Sequence, residues 1–129
     1  MENKLLKHGA FSWFELMTGD VEGAKEFYSR LFGWTTEKME MEGGMTYTVV
    51  KVNGEGTGGI MDISPQAGDM PSMWGIYVTV DDVDATAKAV KELGGQVHVE
   101  PRDIPEVGRF SVIQDPQGAI ISVITYKPM

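Results

Sequence analysis

The sequence predicts an α+β protein built from two successive strand–helix–strand–strand–strand (βαβββ) modules. Three observations predict it. First, the chain repeats itself: Asp20-Val21-Glu22 returns as Asp82-Val83-Asp84, 62 positions later, and the same offset matches Leu31 with Leu93 and Gly33 with Gly95. Second, an apolar stripe at helical spacing follows each of these acidic starts. Third, three strand-like stretches separated by turn residues follow each helix. The first module is expected over 1–63, a linker over 64–72 and the second module over 73–129. Each module is of a size that is marginal alone, so the two are expected to share one structural domain.

The elements follow in order. Ala10–Thr18 alternates and reads as the first strand, with Phe11, Trp13, Glu15 and Met17 on one face and Ser12, Phe14 and Leu16 on the other. Val21, Ala24, Phe27, Tyr28, Leu31 and Phe32 fall at spacings of three and four and predict a helix. Asp20 suits its N-cap, because a short carboxylate can accept the free amide hydrogens of the first turn. Gly33 suits its left-handed end. Strands are expected over Thr35–Met41, Met45–Val52 and Thr57–Ile63, joined by hairpin turns at Gly43-Gly44 and Asn53-Gly54. Ser64–Ser72 holds two prolines and a glycine and reads as the linker. Met73–Val80 is the next strand, and Val83, Ala87, Val90 and Leu93 mark the second helix, capped by Asp81 or Asp82 and ended by Gly94-Gly95. Strands are expected over Gln96–Glu100, Val107–Gln114 and Ala119–Tyr126, the last two joined by Asp115-Pro116-Gln117-Gly118, whose residue order suits a type I turn.

Composition excludes several classes. The absence of cysteine removes disulfides, thiolate metal sites and cysteine nucleophiles. A net charge of −8 repels phosphate backbones and anionic lipid, so nucleic acid and membrane are not expected partners; the charge itself serves solubility. The first eight residues lack the apolar stretch of a signal peptide, and Ala119–Ile124 is too short to span a bilayer. A soluble, cytoplasmic protein is the expectation. Gly54, Gly56, Gly58 and Gly59 are followed by no Lys-Ser or Lys-Thr, which leaves a glycine-rich hairpin rather than a phosphate loop. His8 and His98 form no pair at helical spacing, and no Ser–His–Asp constellation is visible.

The order strand, Gly19-Asp20, Ala24, Phe27-Tyr28, Leu31-Phe32-Gly33-Trp34 resembles the first module of the vicinal oxygen chelate superfamily. That group includes glyoxalase I, bleomycin-resistance proteins and extradiol dioxygenases. Asp82-Val83-Asp84, Leu93-Gly94-Gly95 and Asp115-Pro116-Gln117-Gly118 resemble its second module, and the likeness covers nearly the whole chain. It implies a curled mixed sheet around a cavity, with the helices outside. In the superfamily's metalloenzymes the cavity holds a divalent metal on His, Gln or Glu from the first and last strands of each module, leaving positions open for a chelating substrate.

Carried onto this chain, the ligand positions fall on Trp13, on Gly75 by the repeat offset, and on Ser122, with Asp62 the best alignment for the fourth and Met61 its one-residue slip. Neither Trp nor Gly offers a metal a side-chain donor. The resemblance therefore implies a binding cavity without the family metal and without a cofactor. Trp13, Tyr47, Asp62, Tyr77 and Ser122 are the candidate ligand-binding residues. Glu15 is the candidate catalytic group: beside an indole, desolvation would disfavour its charge and suit it to acid–base work. Pairing with a Lys or Arg at the rim is the alternative for Glu15. Trp74 falls on the opposite face, toward a helix; Phe110 is a further aromatic candidate. The nine methionines suit either an adaptable pocket or ordinary core filling.

Three functions stay open. One is a binding protein for a small organic ligand. A second is a lyase, isomerase or dioxygenase with displaced metal ligands or a metal-free Glu15 mechanism. The third is a dimeric interaction module with a filled cavity. A homodimer is expected in each, partly from family habit and partly from the strand edges that open sheets leave.

Overall fold

Local signals place the elements, and the computed structural model, which describes residues 3–40, 46–63, 71–104 and 107–127, follows them closely. After a 3-10 turn at Asn3–Leu6 come β1 (Phe11–Thr18), α1 (Val21–Phe32), β2 (Thr35–Glu40), β3 (Thr46–Val52) and β4 (Glu55–Asp62). The same order returns as β5 (Met73–Thr79), α2 (Val83–Glu92), β6 (Gln96–Ile104), β7 (Gly108–Gln114) and β8 (Ile120–Tyr126). The fold is α+β, with two α-helices and eight strands among the described residues. The turn expected at Gly43-Gly44 and residues 64–70 of the expected linker lie outside the described residues. Contacts divide the chain within β1 and β5, into a unit of Trp13–Gly75 and a unit of Met1–Ser12 with Ile76–Met129.

In the 13–75 unit the strand order is β2-β3-β4-β1, antiparallel except for the parallel pair β1–β4. Asp20 caps α1 by accepting the Gly23 N–H at 2.9 Å, and Gly33 ends it at φ 77° with its N–H on the Ser29 carbonyl. Asn53 and Gly54 both take positive φ, the geometry of a tight hairpin turn whose twist matches its strands. Leu16, Val50 and Ile60 form the core, and Val21, Ala24, Tyr28 and Trp34 pack on it. The apolar arc of α1 is wider than this contact. Phe27, Leu31 and Phe32 remain 58–59% exposed. Trp74 lies on the helix side, as alternation predicts: its indole N–H donates to the Tyr28 hydroxyl at 3.2 Å, and its ring meets Tyr28 and Trp34 edge-on.

In the other unit the order is β5-β8-β7-β6, with β5–β8 parallel. Asp82 caps α2 by accepting the Ala85 N–H at 3.1 Å; Gly94 takes the left-handed conformation and Gly95 does not. Val80, Val83 and Val123 form the core. The N-terminal segment is tied in by the Gly9 N–H on the Thr79 carbonyl, the Thr79 hydroxyl on the Leu5 carbonyl and the Asp81 N–H on His8 Nδ1. The Asp115 carboxylate accepts from the N–H groups of Gln117 and Ala119, closing the turn before β8. Arg109 on β7 holds Asp84 at 2.8 Å and Asp103 at 3.0 Å; its hydrogen bonds keep the Asp84 carboxyl below the usual carboxylate range.

β6 runs four residues past its expected end at Glu100. Arg102, Asp103 and Ile104 pair with Phe110, Arg109 and Gly108, and the register shifts between Val99 and Arg102, around Pro101. A proline has no N–H for the ladder, so the strand accommodates it at an irregularity and then resumes. Among the described residues no helix is long and apolar enough to cross a membrane.

Candidate functional site

Alternation along β1 sends Trp13, Glu15 and Met17 to one side of the strand and Phe14 and Leu16 to the other. The parallel register pairs Glu15 with Gly59 and Met17 with Met61, and the antiparallel register pairs Val49 with Gly59. Tyr47 is two residues along β3 from Val49 and so shares the Glu15 side. There the three polar-tipped side chains meet. The Trp13 indole N–H donates to the Tyr47 hydroxyl at 2.9 Å, and that hydroxyl donates to a Glu15 carboxylate oxygen at 2.8 Å. The direction follows from chemistry: an indole nitrogen can only donate, so the phenol oxygen accepts and turns its own hydrogen to the carboxylate.

Glu15 is 5% exposed, whereas the Trp13 and Tyr47 side chains are partly exposed. A carboxylate this deeply buried needs donors, and the Tyr47 hydroxyl is one of them. Met17, Met61 and Val49 share this side by register and add apolar surface around the polar chain. The arrangement brings together an indole, a phenol and a buried carboxylate.

Tyr77 and Ser122 are direct partners across β5 and β8, with Tyr77 buried and Ser122 half-buried. Asp62 pairs with Thr18 at the end of β1, and its parity puts it on the Leu16 side. Met61, the one-residue slip, is the residue on the Glu15 side. Phe110 lies under the Arg102 guanidinium, 6.0 Å from its carbon to the ring centre. His98 is exposed and hydrogen-bonded to the Gln114 side chain. Of the clustered methionines, Met39 and Met73 are exposed, and Met41, Met45 and Met70 lie outside the described residues.

Two of the positions to which the resemblance assigns metal ligands, Trp13 and Gly75, offer a divalent metal no side-chain donor. The one polar atom of Trp13 carries hydrogen and is committed to Tyr47. Gly75 has no side chain, and a Cβ placed there would sit 3.2 Å from the Met17 methyl carbon. Among the described residues no three His, Asp or Glu side chains converge. No step through a metal is derived from this chain.

Residues 10–123 match the model of the Glyoxalase/Bleomycin resistance protein/Dioxygenase superfamily, and the chain belongs to that superfamily. The chain is 44% identical over 120 residues to the Mycobacterium tuberculosis protein named "Putative glyoxylase CFP32", covering 93% of this chain and 45% of that one. It is 34% identical over 128 residues to "Anthracycline biosynthesis protein DnrV" of Streptomyces peucetius, covering 89% and 46%. The chain thus spans about half the length of these curated relatives. Among solved structures it is similar to a variant of Streptomyces coelicolor methylmalonyl-CoA epimerase in complex with 2-nitronate-propionyl-CoA, at TM-score 0.65 and 18% identity, covering 95% of this chain and 100% of that one.

Proposed function

We propose that this chain binds a small organic molecule against the Trp13–Tyr47–Glu15 face of its 13–75 unit, without the metal of the superfamily's metalloenzymes. The observation that carries the reading is the hydrogen-bonded run from indole to phenol to buried carboxylate, and the resemblance implies that its indole stands at the first-strand ligand position. Such a face suits a flat molecule with a hydrogen-donating group: the indole contributes stacking area and the carboxylate accepts the donor. The name of the Streptomyces peucetius relative supports a planar hydroxylated quinone as the first probe.

Titrating an anthracycline into the protein, followed by calorimetry across pH, tests the reading. Binding is expected, and Glu15→Gln is expected to flatten its pH dependence while leaving the melt cooperative. An unchanged pH profile in Glu15→Gln would remove Glu15 from the site.

A second reading has its own support. A carboxylate that is 5% exposed and bonded to a phenol resembles a general base held ready for proton abstraction. Turnover of a bound compound in metal-free protein, lost in Glu15→Gln, would favour this metal-free enzyme over a pure binder.

The proposal includes a homodimer in a cytoplasmic setting. Phe27, Leu31 and Phe32 leave a large apolar surface on α1, which association would cover. Light scattering is expected to give twice the chain mass at micromolar concentration, and a monomer throughout that range would refute the dimer.

A further inference from the structure

Glycine inside a strand weakens it and marks a place where something approaches closely. β4 carries Gly56, Gly58 and Gly59 in its interior, and the last two differ in what approaches them. A Cβ at Gly58 would lie 2.6 Å from the Phe14 carbonyl oxygen, a backbone contact. At Gly59 the atoms met would be the Tyr47 hydroxyl and the ring carbons beside it, all inside van der Waals contact. Gly59 is also the residue paired with Glu15 on one side and Val49 on the other. It does not take positive φ, so alanine is tolerated by its backbone.

We infer that Gly59 is a positioning residue for the site. Its bare Cα is the floor across which the Tyr47 ring lies, and this brings the phenol oxygen between the Trp13 N–H and the Glu15 carboxylate. A methyl group at position 59 displaces the far end of a side chain rather than the backbone, so the ring swings away and the strand stays paired. Both hydrogen bonds of Tyr47 described above are then lost together. The geometry stands by itself; its consequence for ligand rests on the proposed binding site.

The test reads the indole N–H of Trp13 by NMR in the 129-residue chain. Of the three tryptophan indole signals, that of Trp13 is the one missing from Trp13→Phe. Tyr47→Phe removes its acceptor and moves the signal. Gly59→Ala is expected to move it in the same direction, to leave the Trp34 and Trp74 signals in place, and to make a further Tyr47→Phe change silent. A Trp13 signal unmoved in Gly59→Ala overturns the inference, whether or not any ligand binds. Should Gly59→Ala fail to fold, Gly59→Ala/Tyr47→Ala is expected to restore folding, and its failure also overturns the inference. A moved signal with unchanged anthracycline affinity supports the positioning role and counts against the binding site alone.

Discussion

Ile60→Ala is expected to destabilise the protein by about 2–5 kcal/mol, the range for removing most of a buried aliphatic side chain and leaving a cavity behind. Ile60 is 1% exposed and pairs with Leu16 on β1 and Thr48 on β3. It forms the core of the 13–75 unit with Leu16 and Val50. That core is small, and few neighbours can collapse into the space. Chemical denaturation compared with the parent chain measures the loss. A change below about 0.5 kcal/mol, the scale of surface substitutions, would show that this core is not packed as described.

Trp13→Ala is expected to weaken ligand binding by about 1–3 kcal/mol, roughly 5- to 150-fold in Kd, the scale of burying a large apolar side chain. It also leaves the Tyr47 hydroxyl without the indole donor that sets its direction, so the Glu15 carboxylate is held less firmly. Trp74→Ala should instead lower the melting temperature and spare binding, because its indole is engaged with Tyr28 and Trp34 on the helix side. Calorimetry beside thermal melts separates the two. The reverse pattern would mean that the register of β1 is wrong.

Much of the fold was legible because its signals are local. The Asp20 and Asp82 caps, Gly33, Asn53-Gly54 and the Asp115 turn each act within a few residues, and each forms as the residue types imply. Period-two alternation also put Trp13 and Glu15 on one face from sequence alone. What it left open depends on partners distant in sequence. Tyr47 meets Glu15 only through the β3–β4 and β4–β1 registers, with a register shift at Val50/Lys51 and a missing side chain at Gly59. The interior glycines of β4 were the available signal, and in sequence they read only as a glycine-rich hairpin. Asp62 shows the same limit: hydrophobic pattern does not specify a parallel register, and the Thr18–Asp62 pairing places it on the Leu16 side. For α1, periodicity identified the helix but not how much of its apolar arc the sheet covers, and Phe27, Leu31 and Phe32 stay exposed.

We propose that the chain takes no divalent metal where the resemblance puts Trp13 at a first-strand ligand position, because that indole donates its hydrogen to Tyr47 and has no lone pair to give a metal. Elemental analysis of the purified chain after separate exposure to Ni, Zn, Fe and Mn tests it most directly. No metal is expected at one equivalent per chain. One tightly held equivalent, lost on Glu15→Gln, would contradict it.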